Sequence, residues 1–114
     1  MRSKFLVLVI AAFLTFGLAA CSSGDPDTAK ARIDDGATLI DVRTPSEFAE
    51  GHLEGAINID VQAADFADRV QELDKDAPYV VYCRSGNRSA QAISQMEDLG
   101  FTDLVNGGAY DDLR

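Results

Sequence analysis

Apolar residues open this chain as one block and afterwards recur in short, interrupted groups. Phe5 to Phe16 is almost wholly apolar, follows Arg2 and Lys4, and leads into Gly17-Leu18-Ala19-Ala20-Cys21. A basic start, a brief apolar stretch and small residues at its end form the architecture of a secretory signal peptide over residues 1–20. As a helix, Phe5 to Ala20 reaches about 24 Å at ~1.5 Å per residue. That falls short of the roughly 30 Å hydrocarbon core, which disfavours a spanning anchor. Ser22-Ser23-Gly24-Asp25-Pro26 is small, polar and broken by proline. It reads as a tether over residues 21–26, ahead of one folded domain at 27–114.

Within that domain the pattern switches between a strand period and a helix period. Asp27 to Asp35 carries a weak helical stripe through Ala31 and Ile33, and Thr38 to Val42 is a strand candidate. Thr44-Pro45-Ser46-Glu47 has the form of a capping box, which predicts a short helix to about Ala49. Ala56 to Ile59 suits a buried strand. Ala63, Phe66, Val70 and Leu73 recur at helical spacing and leave Asp65, Asp68, Arg69 and Glu72 for the wet face. Tyr79 to Tyr82 is the next strand, and a helix burying Ala92, Ile93, Met96 and Leu99 follows it. Gly100 and Phe101 supply a Schellman-type stop, and Phe101 to Val105 one more strand. No strand precedes the first helix. The alternation predicts an α/β fold: a central parallel sheet of about four to five short strands with helices on both faces, in three layers.

Charge removes several function classes. Ten basic residues face nineteen acidic ones, a formal net charge of −9. Without residues 1–20, which hold Arg2 and Lys4 and no acid, eight bases remain against nineteen acids and the charge is −11. Nucleic-acid binding and electrostatic adsorption to an anionic bilayer are both disfavoured. With Cys21 set aside, one cysteine and one histidine are a poor basis for a four-ligand metal site, and no cofactor is expected. The two thiols, Cys21 and Cys83, leave one disulfide open as an option in an exported chain.

The chemistry concentrates in Cys83-Arg84-Ser85-Gly86-Asn87-Arg88-Ser89, between the strand at Tyr79 to Tyr82 and the following helix. A strand, a glycine-containing turn and a helix start aim several backbone N–H groups and the positive end of the helix dipole at the bend. That field favours thiolate over thiol. The dipole is worth about 0.3–1 kcal/mol, up to ~2 when sheltered, so it lowers a thiol by roughly one pKa unit at most. Any further lowering falls to converging amides and to Arg84 or Arg88. A lone cysteine is ordinarily a small buried apolar residue. Two arginines, a turn glycine and a helix start around it are not needed for that role.

This segment resembles the active-site loop of single-domain rhodaneses, a sulfurtransferase family with the pattern Cys-Arg-x-Gly-x-Arg-Ser/Thr. The stretch from Leu39 to Ile59, with Asp41-Val42-Arg43, Glu47-Phe48, Gly51-His52, Gly55-Ala56 and Asn58-Ile59, is similar to a second signature of that family. Asn106-Gly107-Gly108 resembles the turn that closes its fold. The resemblance implies that Cys83 is the nucleophile, and that Arg84, Ser85, Gly86, Asn87, Arg88 and Ser89 bind the substrate. Asp41 and Arg43 would brace the loop, Arg43 pairing with Glu47 or Glu50 and Asp41 accepting loop N–H groups. His52 belongs to a structural signature and is expected to support the fold. The implied partners are a small anionic sulfur donor such as thiosulfate and a cyanide or thiol acceptor, with no metal. Cysteine phosphatases and arsenate reductases use a similar cradle, but the related phosphatases place five residues between Cys and Arg where this chain has four. A sulfur-carrying module without turnover would use the same loop.

The N-terminal Leu18-Ala19-Ala20-Cys21 resembles a bacterial lipobox. It implies cleavage before Cys21, a lipid on that residue, and an exported protein held at a bacterial membrane facing the periplasm or exterior. Lipidation of Cys21 would leave Cys83 as the one free thiol. The family commonly continues past its Gly-Gly with Trp and more helix; here Ala109-Tyr110-Asp111-Asp112 follows and the chain stops at Arg114, which predicts a thin final cover.

Overall fold

The computed structural model describes residues 24–114. The expected signal peptide, the expected lipidation at Cys21 and most of the expected tether lie outside them. Four strands form one parallel sheet in the order β2-β1-β3-β4: β1 Thr38–Asp41, β2 Ile57–Asn58, β3 Tyr79–Cys83 and β4 Leu104–Ala109. Five helices connect and cover them: α1 Pro26–Asp34, α2 Pro45–Glu50, α3 Phe66–Val70, α4 Asn87–Asp98 and α5 Tyr110–Leu113. The expected α/β class with helices on both faces is the fold observed.

Alternation along the strands splits the core into two layers. Ile40, Val42, Val81 and Cys83 face Phe66, Val70, Ala92 and Met96 from α3 and α4. Leu39, Val80 and Tyr82 face Ala29 of α1 and Leu113 of α5. β3 is buried at all five positions, as a central strand covered on both sides must be. The chain leaves β1 toward β2 on one side and β3 toward β4 on the other. The crevice beyond the carboxyl ends of β1 and β3 is therefore the switch point where such sheets hold ligands.

Local signals explain most boundaries. In α2, Thr44 Oγ1 accepts from the Glu47 amide at 3.2 Å while the Glu47 carboxylate accepts from the Thr44 amide at 3.0 Å, completing the capping box. At the end of α4, Phe101 N–H reaches Met96 O at 3.1 Å and Gly100 N–H reaches Glu97 O at 3.0 Å, both bonds of the Schellman motif.

Several expectations are corrected. Gly24 to Pro26, read as tether, is part of the domain. The Asp25 carboxylate caps α1 by accepting from Thr28 N–H at 3.3 Å, and Asp25 N–H donates to Asn106 O at 3.0 Å. The strand expected to be buried at Ala56 to Ile59 is the edge strand β2, with Ile57 38% exposed, because nothing pairs beyond it in the sheet. α3 spans only five residues; i−3 bonds at Phe66 and Leu73 keep the apolar spacing outside the helix. The last strand starts at Leu104, since Phe101 belongs to the helix stop. Asn106-Gly107-Gly108 is not a turn but the middle of β4. The register passes from Val81 opposite Asn106 to Tyr82 opposite Gly108, so Gly107 is extra. A Cβ on Gly107 would lie 2.9 Å from Val80 Cγ1 and 3.0 Å from Leu113 Cδ1. Cover over this side comes from α1 together with α5, whose Leu113 is buried.

Candidate active site

β3 carries Cys83 to the switch point, and the chain turns at once through Arg84 to Gly86 into α4. Gly86 holds φ +100°, a left-handed conformation that glycine adopts without steric cost and that turns its amide inward. Its N–H donates to Cys83 Sγ at 2.9 Å. Ser89 Oγ lies 3.4 Å from the same sulfur. Cys83 has no exposed surface, and burial alone pushes its thiol up. The Ser89 hydroxyl and the backbone N–H groups of Ser89, Ser85 and Gly86 outweigh burial, so the thiol lies below its usual range.

Ser89 is fully buried and held from two sides, with its Oγ 2.7 Å from Asn106 Oδ1 and 3.0 Å from Gly86 O. Asn106 also accepts from Gly108 N–H at 2.9 Å, and its Nδ2 donates to Gly86 O at 3.4 Å. The bulge in β4 and the loop are thus tied through one amide side chain. Ser85 and Asn87 are exposed, and Ser85 serves the sulfur through its backbone N–H.

The two loop arginines differ. Arg88 donates both terminal nitrogens to Glu47, at 2.7 Å to Oε1 and 3.0 Å to Oε2. Those bonds, with Thr44 assisting against partial burial, hold the Glu47 carboxyl down at about 2. Arg84 is 78% exposed at its side chain and only approaches Glu47, at 3.9 Å. Arg43 does not pair with Glu47 or Glu50 as expected. Its guanidinium lies against Asp41, with NH2 to Oδ2 at 2.7 Å, and also donates to Gly51 O at 2.7 Å. Asp41 accepts from the Arg43 backbone and side chain, which occupy its carboxylate in place of the loop amides. A buried carboxylate two residues from a buried guanidinium satisfies it most directly. This pair braces the strand end beneath the Tyr110 ring, 4.6 Å from the Arg43 guanidinium carbon. His52 stacks on Phe48 at 3.6 Å and its Nδ1 lies 2.8 Å from Phe48 O, a contact confined to the end of α2.

Sequence reasoning missed two members of the site. Glu47 was read as a helix cap and as a candidate partner of Arg43, not of Arg88, although a carboxylate in that position can bond an amide and the loop guanidinium at once. Asn106 stood in a motif read as a turn; a polar side chain next to two glycines was the available signal. Beside the loop, Arg43, Glu47, Glu50, Gly51, Arg84, Tyr110 and Asp111 line an open groove of about 220 Å³. Among the described residues no cluster of three or more His, Cys, Asp or Glu could hold a metal ion.

Fold and site together define an α/β protein organised around a buried cysteine whose sulfur is met by a backbone N–H and a serine hydroxyl. The Rhodanese-like domain family matches residues 25–110, and the chain belongs to that family. It is 38% identical over 85 residues to the thiosulfate sulfurtransferase GlpE of Pseudomonas syringae, covering 73% of this chain and 78% of that protein. Its Pseudomonas putida counterpart is 39% identical over 79 residues, covering 68% and 70%. Among solved structures, a rhodanese with anions from E. coli superposes with a TM-score of 0.58 at 34% identity, over 68% of this chain and 91% of that one. A rhodanese-like domain protein from Staphylococcus aureus gives 0.67 at 27% identity, over 78% and 87%.

Proposed function

We propose that the protein is a sulfurtransferase that relays a sulfane sulfur through a persulfide on Cys83. The observation that carries this reading is the buried sulfur with the Gly86 N–H at 2.9 Å and the Ser89 hydroxyl at 3.4 Å. In the first half-reaction the Cys83 thiolate attacks the outer sulfur of a donor such as thiosulfate. A sulfur–sulfur bond forms to Cys83, the donor's own sulfur–sulfur bond breaks, and its electron pair leaves with sulfite. In the second half-reaction cyanide or a thiolate attacks the terminal sulfur, and the electron pair of the breaking bond returns to Cys83. Two half-reactions through a covalent intermediate give ping-pong kinetics. The loop N–H groups stay aimed at the negative charge throughout, so little reorganisation is required when charge moves from one sulfur to the next. Cys83 has no exposed surface, so a donor reaches its sulfur only when its surroundings open.

The N-terminal signature completes the reading: Cys21 carries lipid, and the acidic domain works at a bacterial membrane on its exported side. The same full burial of Cys83 also favours a second reading, in which the domain shelters one sulfur and hands it to a partner protein without multiple turnover. Full-length protein incubated with thiosulfate should gain the mass of one sulfur and, with cyanide added, release thiocyanate repeatedly. Cys83→Ser should do neither. Thiocyanate turnover retained in Cys83→Ser would overturn the assignment, and a single release per protein would select the carrier.

A further inference from the structure

Three arginines surround the loop, yet their charge is unequally available to a donor. Both terminal nitrogens of Arg88 are bonded to Glu47, and Arg43 is bonded to Asp41. A matched ion pair acts on a third charge only as a dipole, which falls off faster than a free charge. Arg84 remains, but its side chain is 78% exposed and screened by solvent and salt. Across the adjoining groove, Glu50 and Asp111 add negative charge. Once Cys83 is ionised, the mouth of the site is therefore negative rather than positive.

We propose that Glu47 is a specificity-determining residue for the sulfur donor: by bonding both nitrogens of Arg88 it cancels the positive charge beside Cys83. The site then takes singly charged or neutral sulfane-sulfur donors in preference to doubly charged ones. The inference rests on the sulfurtransferase reading and refines its substrate class. Thiosulfate, a dianion, is on this account a donor of high KM.

Glu47→Gln tests it, because glutamine keeps the capping box while removing the charge. Kinetics of the full-length protein are compared with thiosulfate, a dianion, and methanethiosulfonate, a monoanion. Freeing one positive charge near the sulfur should lower KM for the dianion by about tenfold, and for the monoanion by its square root, about threefold, since Coulomb energy scales with charge. Adding Arg88→Gln to the variant should return the ratio of the two KM values to that of the wild type. Equal changes for both donors, or a fall in kcat alone, would reduce Glu47 to a structural brace and overturn the proposal.

A second readout needs no sulfur transfer. The rate of alkylation by iodoacetate relative to iodoacetamide, followed at the Cys83 peptide by mass spectrometry, should rise in Glu47→Gln. An unchanged ratio would overturn the electrostatic account. Absence of turnover and of persulfide in the wild type, with the alkylation ratio still rising, would instead sink the sulfurtransferase reading and the donor preference with it.

Discussion

The proton on Ser89 is contested by three neighbours. Its hydroxyl lies within reach of Asn106 Oδ1, Gly86 O and Cys83 Sγ, and it can donate to one of them at a time. With Cys83 protonated, the thiol donates to Ser89 and the serine proton goes to Asn106 or Gly86. With Cys83 ionised, the serine proton can turn to sulfur, leaving the Asn106 oxygen still bonded to Gly108 N–H. Ser89→Ala removes this donor while the backbone amides remain, so the Cys83 thiol should titrate higher than in the wild type. The midpoint of iodoacetamide alkylation against pH, read at the Cys83 peptide, checks the shift. A midpoint that stays in place would assign the lowering to amides alone.

At the scale of elements, the site is assembled where three local devices meet: the capping box of α2, the left-handed Gly86 before α4 and the bulge in β4. The first was readable from Thr44-Pro45-Ser46-Glu47, because a cap depends on neighbours in sequence. The Schellman stop at Gly100 and the strand entering Cys83 were legible for the same reason. The bulge was not, because Gly107 is excluded from having a side chain by Val80, far from it in sequence, and by Leu113, which only the packing of α5 brings against it. The Arg88–Glu47 and Arg43–Asp41 pairings were also beyond reach: spacing shows which charges exist, while only the packed fold decides which guanidinium meets which carboxylate. Gly107→Ala forces a methyl between Val80 Cγ1 and Leu113 Cδ1, and should cost about 1–3 kcal/mol as an overpacked core position. Urea denaturation measures this loss. An unchanged midpoint would mean that α5 lifts away freely and contributes little to the fold.

At the scale of the whole molecule, the acidic charge makes stability sensitive to acid in a way that one residue isolates. Glu47 is depressed from 4.5 to about 2 in the folded state. Its contribution is therefore fully present above about 4.5 and is lost as pH falls toward 2, where the folded carboxylate takes up its proton. The urea midpoint of the wild type should drop through that window, and the drop should be shallower in Glu47→Gln; parallel profiles would refute the coupling. Another consequence follows from the bond between Asp25 N–H and Asn106 O. The turn that caps α1 grips the same residue that orients Ser89, so a pull on that turn arrives within two hydrogen bonds of the Cys83 sulfur. A trimmed version beginning at Pro26 would sever that grip and loosen the loop from behind. A start no later than Gly24 preserves it.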